Sequence, residues 1–428
     1  MGNSCAKLRT LLFLNALNAF HISTMARKKI FNDPVYGFIE VPYGIIFDLV
    51  DHPYFQRLRR IRQLGLTNLV YPGANHNRFQ HALGAYYLMT KAVRVLKAKG
   101  VEITETEEEA VGIAILLHDI GHGPQSHALE HSIVNFSHED LSLLFMERLN
   151  KEFSGKLSLA IEIFKDAYAK KFLHQLVSGQ LDMDRMDYLN RDSYFTGVIE
   201  GRVGYGRIIK MLDVRDNELV IEEKGIYSIE QFLAARRIMY WQVYLHKTAL
   251  SAELMLIQAF KRAKKLAQKG TKFQISPALS SLLEEDVDLA KARQNPKWLD
   301  LFAKLDDCDI QMAIKTFAEH EDFALNLLTI GLQNRKLFRL EYKKSSFSKK
   351  YTDQIKIKIS QNFNGQTKEN SDLLMFSGIQ TNISYNPLKE INILFKDNSV
   401  SPLSEFADYE LGTRQIKKYY ICYPKIKP

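Results

Sequence analysis

A chain of 428 residues with 46% apolar and 25% charged residues can bury one large core or two ordinary ones and carries no disorder signature. Its formal net charge of +9 favours a polyanionic ligand without choosing among nucleotides, nucleic acid and acidic proteins. Three scattered cysteines, Cys5, Cys308 and Cys422, lack CxxC spacing, which argues against a disulfide framework or structural zinc and for a reducing, cytoplasmic compartment.

At the N-terminus, Lys7 and Arg9 precede Leu11-Leu12-Phe13-Leu14 as in a signal peptide, but Asn15 and Asn18 interrupt the run. Residues 1–24 are read as an extension upstream of a start at Met25, not as an export signal. No apolar stretch reaches the roughly 20 residues needed to span a bilayer. From Val35 to about Lys269 the hydrophobic period is mainly helical, so 25–270 is expected to be a helical core. Residues 271–428 are expected to form a smaller α+β region packed on it and assisting oligomerisation. The fold class is mainly α.

A first helix is expected from Arg78 to just before Gly100, with His81 on its first turn. Thr104 is a candidate N-cap for a second, whose first turns hold Glu105, Glu107, Glu108 and Glu109 where the macrodipole favours acids. The apolar run Ala110 to Leu117 then delivers His118 and Asp119 at the helix end. Gly121, Gly123 and Pro124 break it, and a helix from near Ser126 would place His127, Glu130 and His131 on one face. Ser137-His138-Glu139-Asp140 has the form of a helix start, putting His138 in a first turn.

Further on, Asp184, Tyr188 and Asp192 recur every four residues as one polar stripe, and Arg236, Tyr240, Tyr244 and Lys247 form another. Helical pieces continue to about Gln333. The alternating runs Gln354–Ile359 and Ile391–Phe395 read as strands.

His81, His118, Asp119 and Asp184 can all ligate a divalent cation. Two imidazoles and two carboxylates suit Mn, Fe, Zn, Ni or Co better than Ca, without identifying the metal. The bland alternative makes His118-Asp119 a pair capping a helix end. His76, His122, His127, His131 and His138 exceed what four metal positions need, and imidazoles bind phosphate or transfer protons near neutral pH. Arg78 and Arg185 adjoin metal-ligand candidates and can clamp phosphate oxygens. Phosphate-ester hydrolysis draws on both.

The words Lys29-Ile30-Phe31-Asn32-Asp33-Pro34-Val35-Tyr36-Gly37, Asp51-His52-Pro53-Tyr54-Phe55-Gln56-Arg57-Leu58-Arg59, Gln63-Leu64-Gly65, Asn77-Arg78-Phe79-Gln80-His81, Leu117-His118-Asp119-Ile120-Gly121-His122-Gly123-Pro124, Asp182-Met183-Asp184-Arg185-Met186-Asp187-Tyr188 and Tyr244-Leu245-His246-Lys247 occur in one order. Together they resemble the HD-domain deoxynucleoside triphosphate triphosphohydrolases, both the bacterial members and the catalytic core of the animal enzyme that carries a SAM domain. The resemblance runs from about Lys29 to about residue 265.

It implies hydrolysis of a dNTP at the α-phosphorus to deoxynucleoside and inorganic triphosphate. His81, His118, Asp119 and Asp184 match the family's ligands to one divalent transition metal, a Lewis acid for the α-phosphate, with Mg accompanying the substrate phosphates. His127, Glu130 and His138 match its catalytic histidines and acid. Arg78, His122, Arg185 and Arg236 match phosphate-contacting positions, and Gln63, Leu64, Tyr188, Asp192 and Tyr244 surround the deoxyribose. Lys29, Ile30, Asn32, Asp51, Gln56, Arg59 and Lys247 match a site for a dGTP or GTP activator, although Gln242 stands where the animal enzyme's activator pocket has arginine.

A homodimer or homotetramer is the implied assembly, with no membrane and no requirement for nucleic acid. Two other readings stay open: an HD-type phosphodiesterase or nucleotidase acting on another phosphate ester, and a non-catalytic nucleotide or nucleic-acid binding module.

Overall fold

A computed structural model describes residues 28–130, 132–363, 371–382, 385–386, 389–407 and 415–426. The extension 1–24, the start at Met25 and His131 lie outside the described residues. The chain divides into two compact units, Met1–His52 and Pro53–Pro428. In the first, β1 (Lys28–Asp33) and β2 (Gly37–Pro42) form an antiparallel hairpin, with Lys28 opposite Pro42 and Asp33 opposite Gly37. A short helix, Ile45–Asp51, follows.

The second unit is predominantly helical. Its centre is built from α1 (Arg78–Ala98), α2 (Glu105–Leu117), α3 (His138–Glu152) and α4 (Met183–Thr196), with α1 packed against both α2 and α4. The starts of α1, α2 and α3 are fixed locally. Asn77, Thr104 and Ser137 each accept the backbone N–H three residues on, and Gln80, Glu107 and Asp140 reciprocate. Each such cap stabilises its helix by about 1 kcal/mol. Buried Val111, Ala114, Ile115 and Leu117 clamp the end of α2 in the core, so the loop that follows leaves from a rigid base.

α5 (Ile226–Met239) runs into a π-turn, Tyr240–Tyr244, and α6 (Lys247–Gln268) starts afresh after it. α7 (Phe323–Gln333) packs on α6. The remaining strands are β3 (Leu212–Arg215), β4 (Glu218–Glu222), β5 (Arg339–Lys343), β6 (Phe376–Asn382), β7 (Asn392–Leu394), β8 (Val400–Pro402) and β9 (Ile416–Tyr423). They form two sheets, ordered β3-β4-β7-β8 and β5-β9-β6. The first joins the helical centre to the C-terminal region through the parallel pairing of β4 with β7.

The mainly α expectation with a smaller C-terminal α+β region agrees with this architecture, as does the strand expected in 391–395. Three local expectations do not. Residues 354–359 are helical, within α8 (Lys349–Asn362): Ile355 and Ile359 are buried one turn apart while Ile357 is 57% exposed. The expected helix from Ser126 is a single 3-10 turn, Ser126–Leu129, ending where Glu130 becomes extended. The π-turn also interrupts the stripe from Arg236 to Lys247.

Candidate metal and phosphate site

The first turn of α1, the end of α2 and the first turn of α4 converge on one point. His81 Nε2 stands 3.1 Å from Asp184 Oδ1 and 3.5 Å from Asp119 Oδ2, and His118 Nε2 lies 3.4 Å from Asp119 Oδ1 and from Asp184 Oδ1. Each imidazole is oriented from behind. His81 Nδ1 donates to Asp187 Oδ2 at 2.7 Å and His118 Nδ1 to the Ile115 carbonyl at 2.6 Å, so both present an Nε2 lone pair. Among the described residues neither Nε2 finds a hydrogen-bond partner of normal geometry. Two buried lone pairs facing two carboxylates repel one another unless a cation lies between them, and the set of two neutral imidazoles and two carboxylates matches a divalent ion.

The titration behaviour says the same. Burial works against charge on His81, yet the nearby Asp184 carboxylate and the hydrogen bond to Asp187 outweigh it and lift its pKa to about 10. Burial would raise Asp119 and Asp184, but the neighbouring imidazoles, joined by Arg78 at Asp119, hold both below the usual carboxylate range. The cluster is short of positive charge, which a metal supplies while displacing the imidazole protons.

Arg78 donates through Nη1 to Asp119 Oδ2 and through Nε to Ser126 Oγ at 2.9 Å. Gln125 and Ser126 both have positive φ, 58° and 53°, a strained pair that Asp307 Oδ1 pins by accepting Gln125 N–H at 2.7 Å. That turn projects His127. Glu130 Oε2 accepts from His127 Nδ1 at 3.0 Å, while Oε1 accepts from His138 Nδ1 at 2.7 Å. Burial would raise Glu130, but its bonds to His127 and His138 hold it far below the usual range. His138 is raised: burial opposes the charge and Glu130 outweighs it. His122 is buried, its pKa lowered by burial and by Arg78.

The His127–Glu130–His138 group and the His81–His118–Asp119–Asp184 cluster are mechanically joined. Ser142, on α3, donates to the His118 carbonyl at 2.7 Å and accepts from Gly121 N–H at 3.0 Å.

A cavity of about 310 Å³ adjoins this cluster. Its walls bring together Gln63, Leu64, Arg78, His127, Tyr188, Asp192 and Tyr244. Tyr188 and Tyr244 meet edge-on at 6.1 Å. Asp192 takes one bond on each oxygen, from His76 Nε2 at 2.7 Å and from Tyr244 hydroxyl at 2.8 Å. The π-turn, closed by Leu245 N–H to the Tyr240 carbonyl at 2.8 Å, places both Tyr240 and Tyr244 on this wall.

Three expected substrate contacts are not on it. His122 lies in the histidine group; Arg185, half-buried, pairs with Asp182 Oδ2 at 3.4 Å; Arg236 has its guanidinium 5.6 Å from the Tyr240 ring. Of the activator set, Lys29, Ile30 and Asn32 are on β1 and Asp51 ends the helix after it, in the first unit. Gln56 and Arg59 share a 2.8 Å hydrogen bond in the second unit, where Lys247 starts α6.

Sequence reasoning missed several residues. Asp187, paired with Arg191, orients His81 from the same face of α4 that carries Asp184; the spacing of the three on one helix was the available signal. Gln125, whose buried amide oxygen and nitrogen both lack a partner among the described residues, and Glu253 also line the cavity, and no local pattern marks them.

The HD domain family matches residues 78–192 and the HD associated region residues 203–276. The phosphohydrolase of Bacteroides thetaiotaomicron, known by crystal structure, is 50% identical, with 93% of this chain and all of that chain covered at a TM-score of 0.90. Bacillus subtilis YwfO, itself uncharacterized, is 35% identical over 75% of this chain and 73% of its own length. The deoxynucleoside triphosphate triphosphohydrolase SAMHD1 homolog of Dictyostelium discoideum is 33% identical over 56% of this chain, which spans about half of that relative. Among the described residues no helix is long and apolar enough to cross a membrane. The chain belongs to the HD-domain family that includes the SAMHD1 triphosphohydrolases, and its chemistry is that of a metal-dependent phosphohydrolase.

Proposed function

We propose that the chain hydrolyses deoxynucleoside triphosphates to deoxynucleoside and inorganic triphosphate. The carrying observation is a single cavity walled by Arg78 and His127 on the side of the His-Asp cluster and by Tyr188, Asp192 and Tyr244 beyond it. One end suits a phosphate chain and the other a sugar. The bound divalent ion would supply Lewis-acid polarisation of the α-phosphate.

Arg78, fixed by Asp119 and Ser126, presents cationic N–H groups to phosphate oxygens. His138 stays protonated beside Glu130 and can deliver a proton, through His127 or directly, to the departing 5′ oxygen. Tyr244, held by Asp192, crowds the sugar where a 2′-hydroxyl would project. Each Asp192 oxygen keeps a lone pair for a 3′-hydroxyl. Gln63 Oε1 and the Gln125 amide, both unpartnered among the described residues, supply polar groups for the rest of the nucleoside.

The same reading takes the protein to be a cytoplasmic homodimer or homotetramer, activated by dGTP or GTP through Lys29, Ile30, Asn32, Asp51, Gln56, Arg59 and Lys247. The domain division 25–270 and 271–428 belongs to this proposal, with the C-terminal region serving assembly. The test is chromatographic identification of products from each dNTP, singly and in pairs, across Mn, Mg, Fe and Co. Triphosphate and deoxynucleoside are expected, with pairs exceeding single dNTPs. Release of a nucleoside monophosphate would favour the phosphodiesterase reading instead.

A further inference from the structure

We propose that His122, His127 and His138 form a second transition-metal site, separate from the His81–His118–Asp119–Asp184 cluster, for a borderline-soft divalent ion such as zinc. One ring nitrogen of each lies within 4.8 Å of the others. The ring centroids are 3.9 Å apart for His122 and His138, 4.9 Å for His122 and His127, and 5.0 Å for His127 and His138.

The donors are prepared as metal ligands usually are. Glu130 accepts the Nδ1–H of both His127 and His138, which directs each Nε2 away from Glu130, where an ion that displaces the His138 Nε2 proton finds its lone pair. That is the carboxylate–histidine arrangement found behind metal-bound imidazoles. His122 is 2% exposed, and its Nε2 has no hydrogen-bond partner among the described residues. Burying an imidazole nitrogen with nothing to bond is costly, and a metal ion at this point would remove the cost. Glu139, 64% exposed, reaches 3.3 Å from His138 Nε2 and can provide an oxygen donor.

Three nitrogens and one oxygen make a tetrahedral set for zinc. Nitrogens at about 2.0–2.1 Å from one ion stand roughly 3.4 Å apart, so the cluster must close by about an ångström. The His127 side chain, 60% exposed, has room to do so. An ion there takes the lone pairs that proton transfer would use, so its binding stops hydrolysis. This last consequence rests on the function proposed above; the site itself does not.

The full-length protein is dialysed against excess zinc, and bound metal is counted by elemental analysis, with cobalt as a visible-absorption probe. Wild type is expected to hold two ions per chain, and His127→Asn and His138→Ala one each. The ion retained in the variants shows that they are folded. Asp184→Ala is expected to keep the cobalt spectrum of the three-histidine site. Excess zinc is expected to lower turnover at least tenfold, in step with binding of the second ion. Saturation of wild type at one ion, or two ions in both histidine variants, overturns the proposal. Two ions bound in a protein that turns over no dNTP would leave this site standing and remove the substrate reading.

Discussion

Asp187 Oδ2 accepts the Nδ1 proton of His81 at 2.7 Å while Arg191 Nε donates to the same oxygen at 2.9 Å. All three side chains are fully buried. A charged pair one helical turn apart thus aims a candidate metal ligand carried by another helix.

Replacing Asp187 removes both that aim and the partner of a buried guanidinium. Asp187→Asn is expected to weaken metal binding by about 10–100-fold and to cost about 3–5 kcal/mol of stability. Metal titration followed by elemental analysis reads the first effect and chemical denaturation the second.

α1 approaches α4 closely only because residue 84 has no side chain. A methyl group built at Gly84 collides with Asp187 Oδ1 and Arg191 Nη2. Gly84→Ala would gain about 1 kcal/mol of helix propensity on an isolated helix, but overpacking costs about 1–3 kcal/mol and falls on a fixed ion pair. The net expectation is a lower melting temperature and weaker metal retention.

The pH dependence follows from Glu130. His138 has a raised pKa in the folded chain, so its pairing contributes stability that is complete below the ordinary histidine value and disappears as pH rises through the raised one. Glu130 is lowered, so its contribution is present above the ordinary carboxylate value and lost only on strong acidification. Glu130→Gln is expected to move the alkaline limb of kcat/KM to lower pH and to remove the alkaline loss of stability. An unchanged alkaline limb would separate His138 from the proton-transfer step.

Tyr244 offers a test of sugar selection. Truncation to Ala opens the wall held by Asp192, and the ratio of ribonucleotide to deoxynucleotide turnover is expected to rise about tenfold, equivalent to about 1.4 kcal/mol of lost discrimination. Competition assays with paired ribo and deoxy substrates measure it. Tyr244→Phe should change the ratio much less, because the ring remains.

How far the sequence carried depended on the range of each interaction. The caps at Asn77, Thr104 and Ser137 are local, formed within four residues, and were legible as written; the delivery of His118-Asp119 by an apolar helix was legible too. Alternation in Gln354–Ile359 misled because Ile355, Ile357 and Ile359 satisfy a two-residue period, whereas burial of Ile355 and Ile359 alone satisfies a helical one. The expected helix at Ser126 failed because positive φ at Gln125 and Ser126 depends on Asp307, far along the chain. Gln125 and Glu253 were invisible for the same reason: only tertiary folding sets them on the cavity. The π-turn shifted register by one residue, which no four-residue stripe anticipates.

The most direct measurement follows the oxygen from water. Hydrolysis of a dNTP in water labelled with heavy oxygen, analysed by mass spectrometry, is expected to place the label in inorganic triphosphate and none in the deoxynucleoside, with Asp119→Ala abolishing both products. Label in orthophosphate or a nucleoside monophosphate, or undiminished hydrolysis by Asp119→Ala, would contradict attack at the α-phosphorus beside the His81–His118–Asp119–Asp184 cluster.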